Sequence, residues 1–163
     1  MSADLREKLK NLALFKAFDS SPESVDLVLA SMQPRQASTG QSLFREGDVG
    51  NELWVLVRGS IEITKSTLAG EGFTVAKLND TMGVFFGEQA LIDQDRRSAT
   101  VTATSQSEFL VLTRDAFVQL SRSHPVIGLE LSLAIAGLIS RRLRKANEDA
   151  LLLFEALVNE LKG

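Results

Sequence analysis

Cysteine is absent from the 163 residues, and histidine occurs once, at His124. Without cysteine the chain can form no disulfide and offers no thiolate as nucleophile or metal ligand. A metal-dependent β-barrel enzyme needs several histidine or carboxylate ligands at one point, so a single histidine argues against that class. His124 directly precedes Pro125, a residue favoured in the first turn of a helix, and we assign it no chemistry.

A strong charge of one sign and a long apolar run are also missing. The net charge is −3, which lacks the basic excess typical of a nucleic-acid-binding surface. The longest apolar stretch, near residues 131–139, falls well short of the ~20 residues that a membrane span needs. The first residues, MSADLREKLK, are polar and charged and do not resemble a secretory signal. We therefore expect a cytoplasmic protein with no membrane span.

Three regions with different hydrophobic patterns follow one another along the chain. We expect residues 1–35 to be a helical segment, residues 36–124 a β-domain and residues 125–163 one long helix of roughly 55 Å. The middle region carries β-rich runs such as LWVLV and SIEIT, and Arg58-Gly59 between them predicts a tight hairpin. The pattern predicts a mainly β protein with flanking helices, an antiparallel β-barrel or jelly roll.

The stretch FFGEQALIDQDRRSATV contains a helical turn embedded among strands, followed by Arg97. Backbone N–H groups at the first turn of a helix attract anions, and an arginine adds a planar fork of donors that fits phosphate oxygens. Glu88 would repel a phosphate, but it can accept a hydrogen bond from a sugar hydroxyl. Phosphate and ribose hydroxyl together indicate a nucleotide. The alternative is that Gly87-Glu88 is an ordinary loop-to-helix junction and Arg97-Ser98 a solvated surface pair.

The long helix carries an apolar seam with alternating spacings of four and three. Its members are Ile139, Leu143, Ala146, Ala150, Leu153 and Leu157. Such a heptad pattern favours pairing with a second chain, and we expect a homodimer. The alternative is a helix packed on its own barrel. The basic residues in 141–145 are interpreted as a solvated helix face rather than a nucleic-acid contact.

In this order, the elements resemble those of the cyclic nucleotide-binding domains over about residues 10–147. FREGDVGNELWVLVRGSIEI is similar to the first half of that family's domain, and FFGEQALIDQDRRSATV is similar to its phosphate-binding cassette. The resemblance implies a jelly roll that binds cAMP, with cGMP as the alternative ligand, and an embedded phosphate-binding helix. It also implies that no residue is catalytic and no metal is bound.

The resemblance further implies a role for each residue at the site. Glu88 accepts from the ribose 2′-hydroxyl, Gly87 lets the backbone close on the ligand, and Arg97 pairs with the phosphate. The Ala90 N–H binds a phosphate oxygen. The remaining residues expected to touch the ligand are Gln89, Ser98, Ala99, Val75, Ala76 and, on the long helix, Asn147.

The chain departs from the family pattern at two cassette positions. Gln89 stands where the family usually carries leucine, and Val84 where it often carries aspartate; neither change removes a phosphate donor. The bacterial activators of the family continue into a DNA-binding helix-turn-helix, and we expect no such domain in these 163 residues.

The leading hypothesis is a non-catalytic receptor whose long helix closes over the ligand and regulates a partner. The alternative is an interaction or dimerisation module that keeps the fold but binds no ligand. An acid–base enzyme built on Glu88 and Asp93 is a third hypothesis, and it lacks a nucleophile or metal nearby.

Overall fold

The computed structural model describes Arg6, Leu9, Leu12, residues 14–16, and residues 22–67, 69–93 and 96–162. Its helices and strands, in chain order, are α1 (Pro22–Ala30), β1 (Gln33–Ala37), β2 (Ser42–Phe44), β3 (Glu52–Arg58), β4 (Ser60–Ser66), β5 (Gly72–Asn79), β6 (Phe85–Phe86), α2 (Gln89–Ile92), β7 (Thr100–Ala103), β8 (Ser107–Thr113), α3 (Arg114–Ser123) and α4 (Pro125–Lys162). A 3₁₀ turn at Asp80–Met82 joins β5 to β6.

The strands form two four-stranded antiparallel sheets that pack face to face. One sheet has the order β1-β8-β3-β6 and the other the order β2-β7-β4-β5. The predicted mainly β jelly roll with an embedded short helix and a long carboxyl-terminal helix is therefore confirmed. The predicted barrel closure is wrong, because no ladder of hydrogen bonds joins the edge strands of one described sheet to those of the other.

Strand β3 is the centre of the packing, because it is buried on both faces. Trp54 and Leu56 point between the sheets, where Trp54 stacks on Phe86 with ring centroids 6.4 Å apart. Leu53 and Val55 point to the opposite side, against the helices. This explains why LWVLV is a continuous apolar run rather than an alternating one.

The helices form a second core on the outer face of the first sheet. The predicted amino-terminal stripe contributes Leu9, Leu12 and Phe15, all buried, while Leu5 lies outside the described residues. Phe117 of α3 and Leu131 of α4 join the same core. The amino-terminal segment, the sheet and the first half of α4 thus share one core.

The connection at Arg58-Gly59 differs from the predicted hairpin. Strand β3 belongs to the first sheet and β4 to the second, so these consecutive strands do not pair with each other. Gly59 instead turns the chain from one sheet to the other, packed against Ser107. A glycine between two β-runs indicates a turn, but it does not show which strands the runs pair with.

Helix α4 is a single helix of 38 residues. Its first half packs on α3 and the sheet through Ile127, Leu131 and Ile135. None of the described helices is both long and apolar enough to cross a membrane.

Candidate functional site

A cavity of about 400 Å³ opens beside the loop that joins β6 to α2. That volume lies within the usual range for small-molecule sites. Its wall combines Gly87, Glu88 and Arg97 with apolar side chains of β4, β5 and β7. The full set of lining residues is Phe44, Ile63, Lys65, Val75, Leu78, Phe85, Phe86, Gly87, Glu88, Gln89, Ala90, Asp93, Arg96, Arg97, Ser98, Ala99, Val101 and Arg142.

Arg97 is a buried cation at the floor of this cavity, and only 8% of it is exposed. Its Nη1 donates to the Glu52 carbonyl oxygen at 2.9 Å, and its guanidinium lies 4.1 Å from the centre of the Phe44 ring. Its Nε has no hydrogen-bond partner, and Arg97 forms no ion pair with any carboxylate in the described part of the chain. A buried charge is costly unless it is paired.

Burial lowers the pKa of Arg97, because desolvation disfavours the charged guanidinium. Nearby Glu52, Asp48 and Glu88 oppose this shift, since their negative charges favour the cation. None of the three forms a direct ion pair with it. The site therefore offers an incoming anion a desolvated cation with donor capacity to spare.

Two glycines allow Arg97 to lie where it does. A Cβ on Gly50 would overlap the Arg97 side chain, and a Cβ on Gly87 would overlap its guanidinium and lie 2.8 Å from the Glu52 carbonyl oxygen. Gly87 also has a φ of +75°, which L-residues rarely adopt. The glycines thus make room for the arginine as well as for the turn.

Glu88 is a buried carboxylate, 1% exposed, at the start of α2. One oxygen, Oε1, accepts from Arg142 Nη1 of α4 in an ion pair across 54 residues of sequence. The other oxygen, Oε2, is buried and has no hydrogen-bond partner among the described residues. The pair ties the cavity to the long helix and leaves one carboxylate oxygen able to accept from a hydroxyl donor.

The backbone N–H groups of α2 are partly engaged within the turn itself. Ala90 N–H donates to the Gly87 carbonyl oxygen at 3.2 Å, and Leu91 N–H to the Glu88 carbonyl oxygen at 3.1 Å. The Ala90 amide, predicted to bind a phosphate oxygen, therefore makes a long intramolecular hydrogen bond in this structure. A ligand oxygen would have to share or replace that bond.

The family described as "Cyclic nucleotide-binding domain" matches residues 34–124, more than half of the chain. The chain belongs to the cyclic nucleotide-binding domain family.

Three relatives are similar to this chain over 70–86% of its length. The "Cyclic AMP receptor protein" of Thermus thermophilus is 36% identical over 142 residues, 86% of this chain and 63% of the relative. The "cAMP-dependent protein kinase regulatory subunit" of Dictyostelium discoideum is 30% identical over 70% of this chain and 35% of its own. The "cGMP-dependent protein kinase 2" of Homo sapiens is also 30% identical, over 70% of this chain and 15% of its own. The chain spans less than two thirds of these relatives.

Solved structures agree with this assignment. The "Thermus thermophilus Catabolite Activator Protein" superposes with a TM-score of 0.74 at 34% identity, covering 84% of this chain and 62% of that one. A "cyclic nucleotide-binding domain from methylobacillus flagellatus" gives a TM-score of 0.75 at 26% identity, covering 91% and 83%.

Most of the residues predicted for the site line one cavity of the cyclic nucleotide-binding domain. Those that do are Val75, Gly87, Glu88, Gln89, Ala90, Arg97, Ser98 and Ala99. Ala76 does not line it, although its neighbour Val75 does. Asn147 is exposed on α4, five residues beyond Arg142, and does not line it either.

Several lining residues were missed by the sequence analysis. Arg142 was interpreted as part of a solvated basic face, and no local pattern shows that it reaches Glu88. Phe44 carries no motif of its own, yet its ring stacks on Arg97.

Among the described residues, no three histidine or acidic side chains are grouped so as to hold a metal ion.

Replacing Gly87 by alanine is expected to destabilise the cyclic nucleotide-binding domain more than replacing Gly40. Both glycines have positive φ, +75° and +84°, so both substitutions carry a backbone cost of about 1–2 kcal/mol. Only Gly87→Ala also forces a Cβ into Arg97, for about 1–3 kcal/mol more, since nothing lies within 4 Å of a Cβ at Gly40. Urea denaturation of the two variants measures the difference, and equal losses would contradict the packing role of Gly87.

Proposed function

We propose that this chain is a non-catalytic receptor for a cyclic mononucleotide, with cAMP as the expected ligand. The observation that carries the proposal is Arg97, a buried cation without an acidic partner among the described residues, beside a cavity of nucleotide size. A singly charged cyclic phosphate supplies the missing counter-charge, and the arginine fork fits two of its oxygens. Relatives named for cAMP and for cGMP support the ligand class.

The ribose is expected to lie against Glu88. Its carboxylate oxygen Oε2 is buried without a donor, and a 2′-hydroxyl is a neutral donor that satisfies it without bringing in a further charge. The ion pair with Arg142 is formed by the other oxygen. The ligand can therefore bind Glu88 without breaking its link to α4.

The base is expected to lie against the apolar wall made by Ile63, Val75 and Leu78. An apolar wall accepts any purine face, so it contributes affinity without choosing between adenine and guanine. We favour cAMP because a "Cyclic AMP receptor protein", which is 36% identical over 86% of this chain, is named for it. cGMP stays the alternative ligand.

Ligand binding is expected to act on α4 through the Glu88–Arg142 pair. Glu88 lies at the cavity and Arg142 at the point where α4 leaves the body of the domain. A ligand that holds Glu88 in place favours the position of α4 in which Arg142 is paired with Glu88. The ligand therefore has a higher affinity for that position than for one in which the pair is broken. Such a difference is what lets a ligand shift a conformational equilibrium.

The receptor is also proposed to form a homodimer through α4. We place the contact on the predicted seam, because five of its six members are exposed at spacings of three and four: Leu143, Ala146, Ala150, Leu153 and Leu157. Ile139, the first member of the predicted seam, packs against the domain's own core instead. The proposed contact therefore begins at Leu143.

Titration with cAMP is the test of the receptor proposal. A ligand at 100 times its dissociation constant stabilises the bound fold by ~2.7 kcal/mol, which raises the melting temperature by roughly 5–11 °C for a domain of this size. Differential scanning fluorimetry with cAMP, cGMP and AMP measures this, AMP being the non-cyclic control. No shift at millimolar cAMP or cGMP would refute the receptor.

A second candidate function, an interaction module without a nucleotide ligand, is favoured by two observations. Arg142 already pairs with Glu88, and the Ala90 amide already donates to Gly87. In an interaction module, both are structural contacts rather than parts of a ligand site. The same titration separates the two functions, because the module predicts no stabilisation by any cyclic nucleotide.

Arg142→Ala is expected to uncouple the helix from the site while leaving the phosphate contact in place. In the parent protein, cAMP should slow amide hydrogen exchange in residues 138–146, because Glu88 and Arg142 become fixed together. The variant should lose most of that added protection and still bind cAMP. Arg141→Ala, one residue away and not part of the pair, is the control. Equal protection in all three proteins would refute this route of coupling.

A further inference from the structure

Lys65, near the end of β4, is a cation in the wall of the candidate ligand cavity. The residue is exposed, and its ammonium group forms neither an ion pair nor a hydrogen bond with the described part of the chain. A lysine ammonium group carries three donors and no acceptor. The cavity wall therefore contains donors that no described protein group uses.

The other cations among the described lining residues already have contacts or an assigned role. Arg142 pairs with Glu88. Arg96 donates to a backbone carbonyl oxygen, and under the proposed function Arg97 binds the phosphate. Lys65 is the remaining cation of this set, and neither the phosphate nor the ribose has been assigned to it.

Strand geometry places Lys65 at one end of the apolar wall proposed for the base. Ile63 and Lys65 are two residues apart on β4, so their side chains point to the same face of the sheet. Opposite the step from Ile63 to Thr64, β5 has one extra residue, Val75. Such a bulge re-aims a side chain, and Val75 lines the cavity together with Ile63 and Lys65.

Along this face, β4 runs from the core to the open side of the cavity. Ile61 is fully buried between the sheets, Ile63 is half-buried and Lys65 is exposed. With the phosphate on Arg97 and the ribose on Glu88, the base is the part of the ligand that remains to lie on this wall. An edge of the base is therefore expected to meet the ammonium group at the open end.

The two purines differ in what they offer to a donor. On the edge that carries N7, guanine has two acceptors, O6 and N7, whereas adenine has the acceptor N7 beside the donor N6–H₂. An ammonium group can donate to both guanine atoms. Facing adenine, it meets an amino group that it cannot satisfy, because it has no acceptor. A lysine at this edge therefore favours guanine over adenine.

We propose that Lys65 is a specificity-determining residue that donates to the O6 and N7 atoms of a 6-oxopurine base. This inference rests on the proposed receptor function and deepens it by naming a residue that discriminates between the bases. It concerns the ratio of the affinities for cGMP and cAMP, and it holds whichever of the two ligands the parent binds more tightly.

The test is calorimetric titration of the full chain and of Lys65→Met with cAMP and cGMP. Methionine keeps an unbranched apolar stem and removes the charge and the donors. We expect Lys65→Met to lose about 3- to 10-fold in affinity for cGMP, the range of one net hydrogen bond. The affinity for cAMP should change less than about twofold, since no acceptor pair is lost. Lys65→Arg, which keeps charge and donors, should retain most of the affinity for cGMP.

Cyclic inosine monophosphate identifies the atoms involved, because its base has O6 and N7 but lacks the 2-amino group of guanine. If Lys65 donates to O6, this ligand loses affinity in Lys65→Met as cGMP does. A contact of Ser98 with the 2-amino group predicts instead that only cGMP is distinguished from cAMP, and that the distinction survives in Lys65→Met. That second result would overturn the role of Lys65.

Lys77→Met is the matched control on the same hairpin. Lys77 pairs with Glu62 at 3.5 Å and does not line the cavity, so its loss should leave the ratio of affinities at the parent value. An equal loss for all three ligands in Lys65→Met would place Lys65 on the phosphate and overturn its role at the base. Binding of all three with an unchanged ratio would overturn that role alone. A parent that binds none of them would refute the receptor and, with it, the role of Lys65.

Discussion

Arg97→Ala is expected to weaken cAMP binding by about 2–4 kcal/mol, the cost of removing one partner of a desolvated charge pair. That corresponds to a loss of roughly 30- to 900-fold in affinity. The fold without ligand should change little, because the substitution also removes a buried cation that has no ion-pair partner among the described residues. Isothermal titration calorimetry and denaturation of the free protein measure the two effects separately.

The neighbouring arginine supplies the matched control. Arg96 also borders the cavity, but it is exposed and donates to the Gly47 carbonyl oxygen at 2.8 Å. Arg96→Ala should therefore reduce affinity far less than Arg97→Ala. Arg97→Lys should recover only part of the loss, since an ammonium group lacks the planar fork of the guanidinium. Parent-like affinity in Arg97→Ala would remove the phosphate assignment.

Leu131→Ala is expected to have the largest effect on the stability of the domain. Leu131 is fully buried, at 0% exposure, where α4 packs on the helical core. Removing a buried leucine side chain costs about 2–5 kcal/mol, through lost transfer energy and the cavity left behind. Urea denaturation at a protein concentration low enough to prevent assembly measures this loss.

Leu133→Ala is the control for that substitution, because it makes the same change two residues away. Leu133 is 63% exposed, so its loss should change domain stability by no more than about 0.5 kcal/mol. Equal losses in the two variants would mean that α4 does not pack on the body as the structure has it.

Features of the fold that depend on local sequence could be predicted. Features that depend on which strands pair with each other could not. The strands of the middle region, the short helix after Glu88 and the long helix from Pro125 each follow from a continuous stretch of residues. The closure of the sheets and the partners of β3 and β4 depend on contacts between distant segments. A turn residue such as Gly59 gives no information about those contacts.

The same division applies to the candidate site. Gly87, Glu88 and Arg97 lie within eleven residues of one another. The chemistry of the glutamate and the arginine predicted a ligand that carries a negative charge next to a hydroxyl group. Arg142 reaches Glu88 only through the packing of α4 on the domain. Val75 and Ala76 could not be told apart, because an irregularity between Ile63 and Thr64 shifts the β4–β5 register.

Under the proposed coupling, residues 143–161 of α4, which are exposed apart from the half-buried Val158, act as a lever whose pivot is the contact between Arg142 and Glu88. From Arg142 to Leu161 the arm measures roughly 28 Å at the usual rise of a helix. A tilt of about 10° at the pivot then moves the tip by roughly 5 Å, about one helical turn. A displacement too small to alter the β-sheets would be amplified enough at the tip to change which side chains meet there.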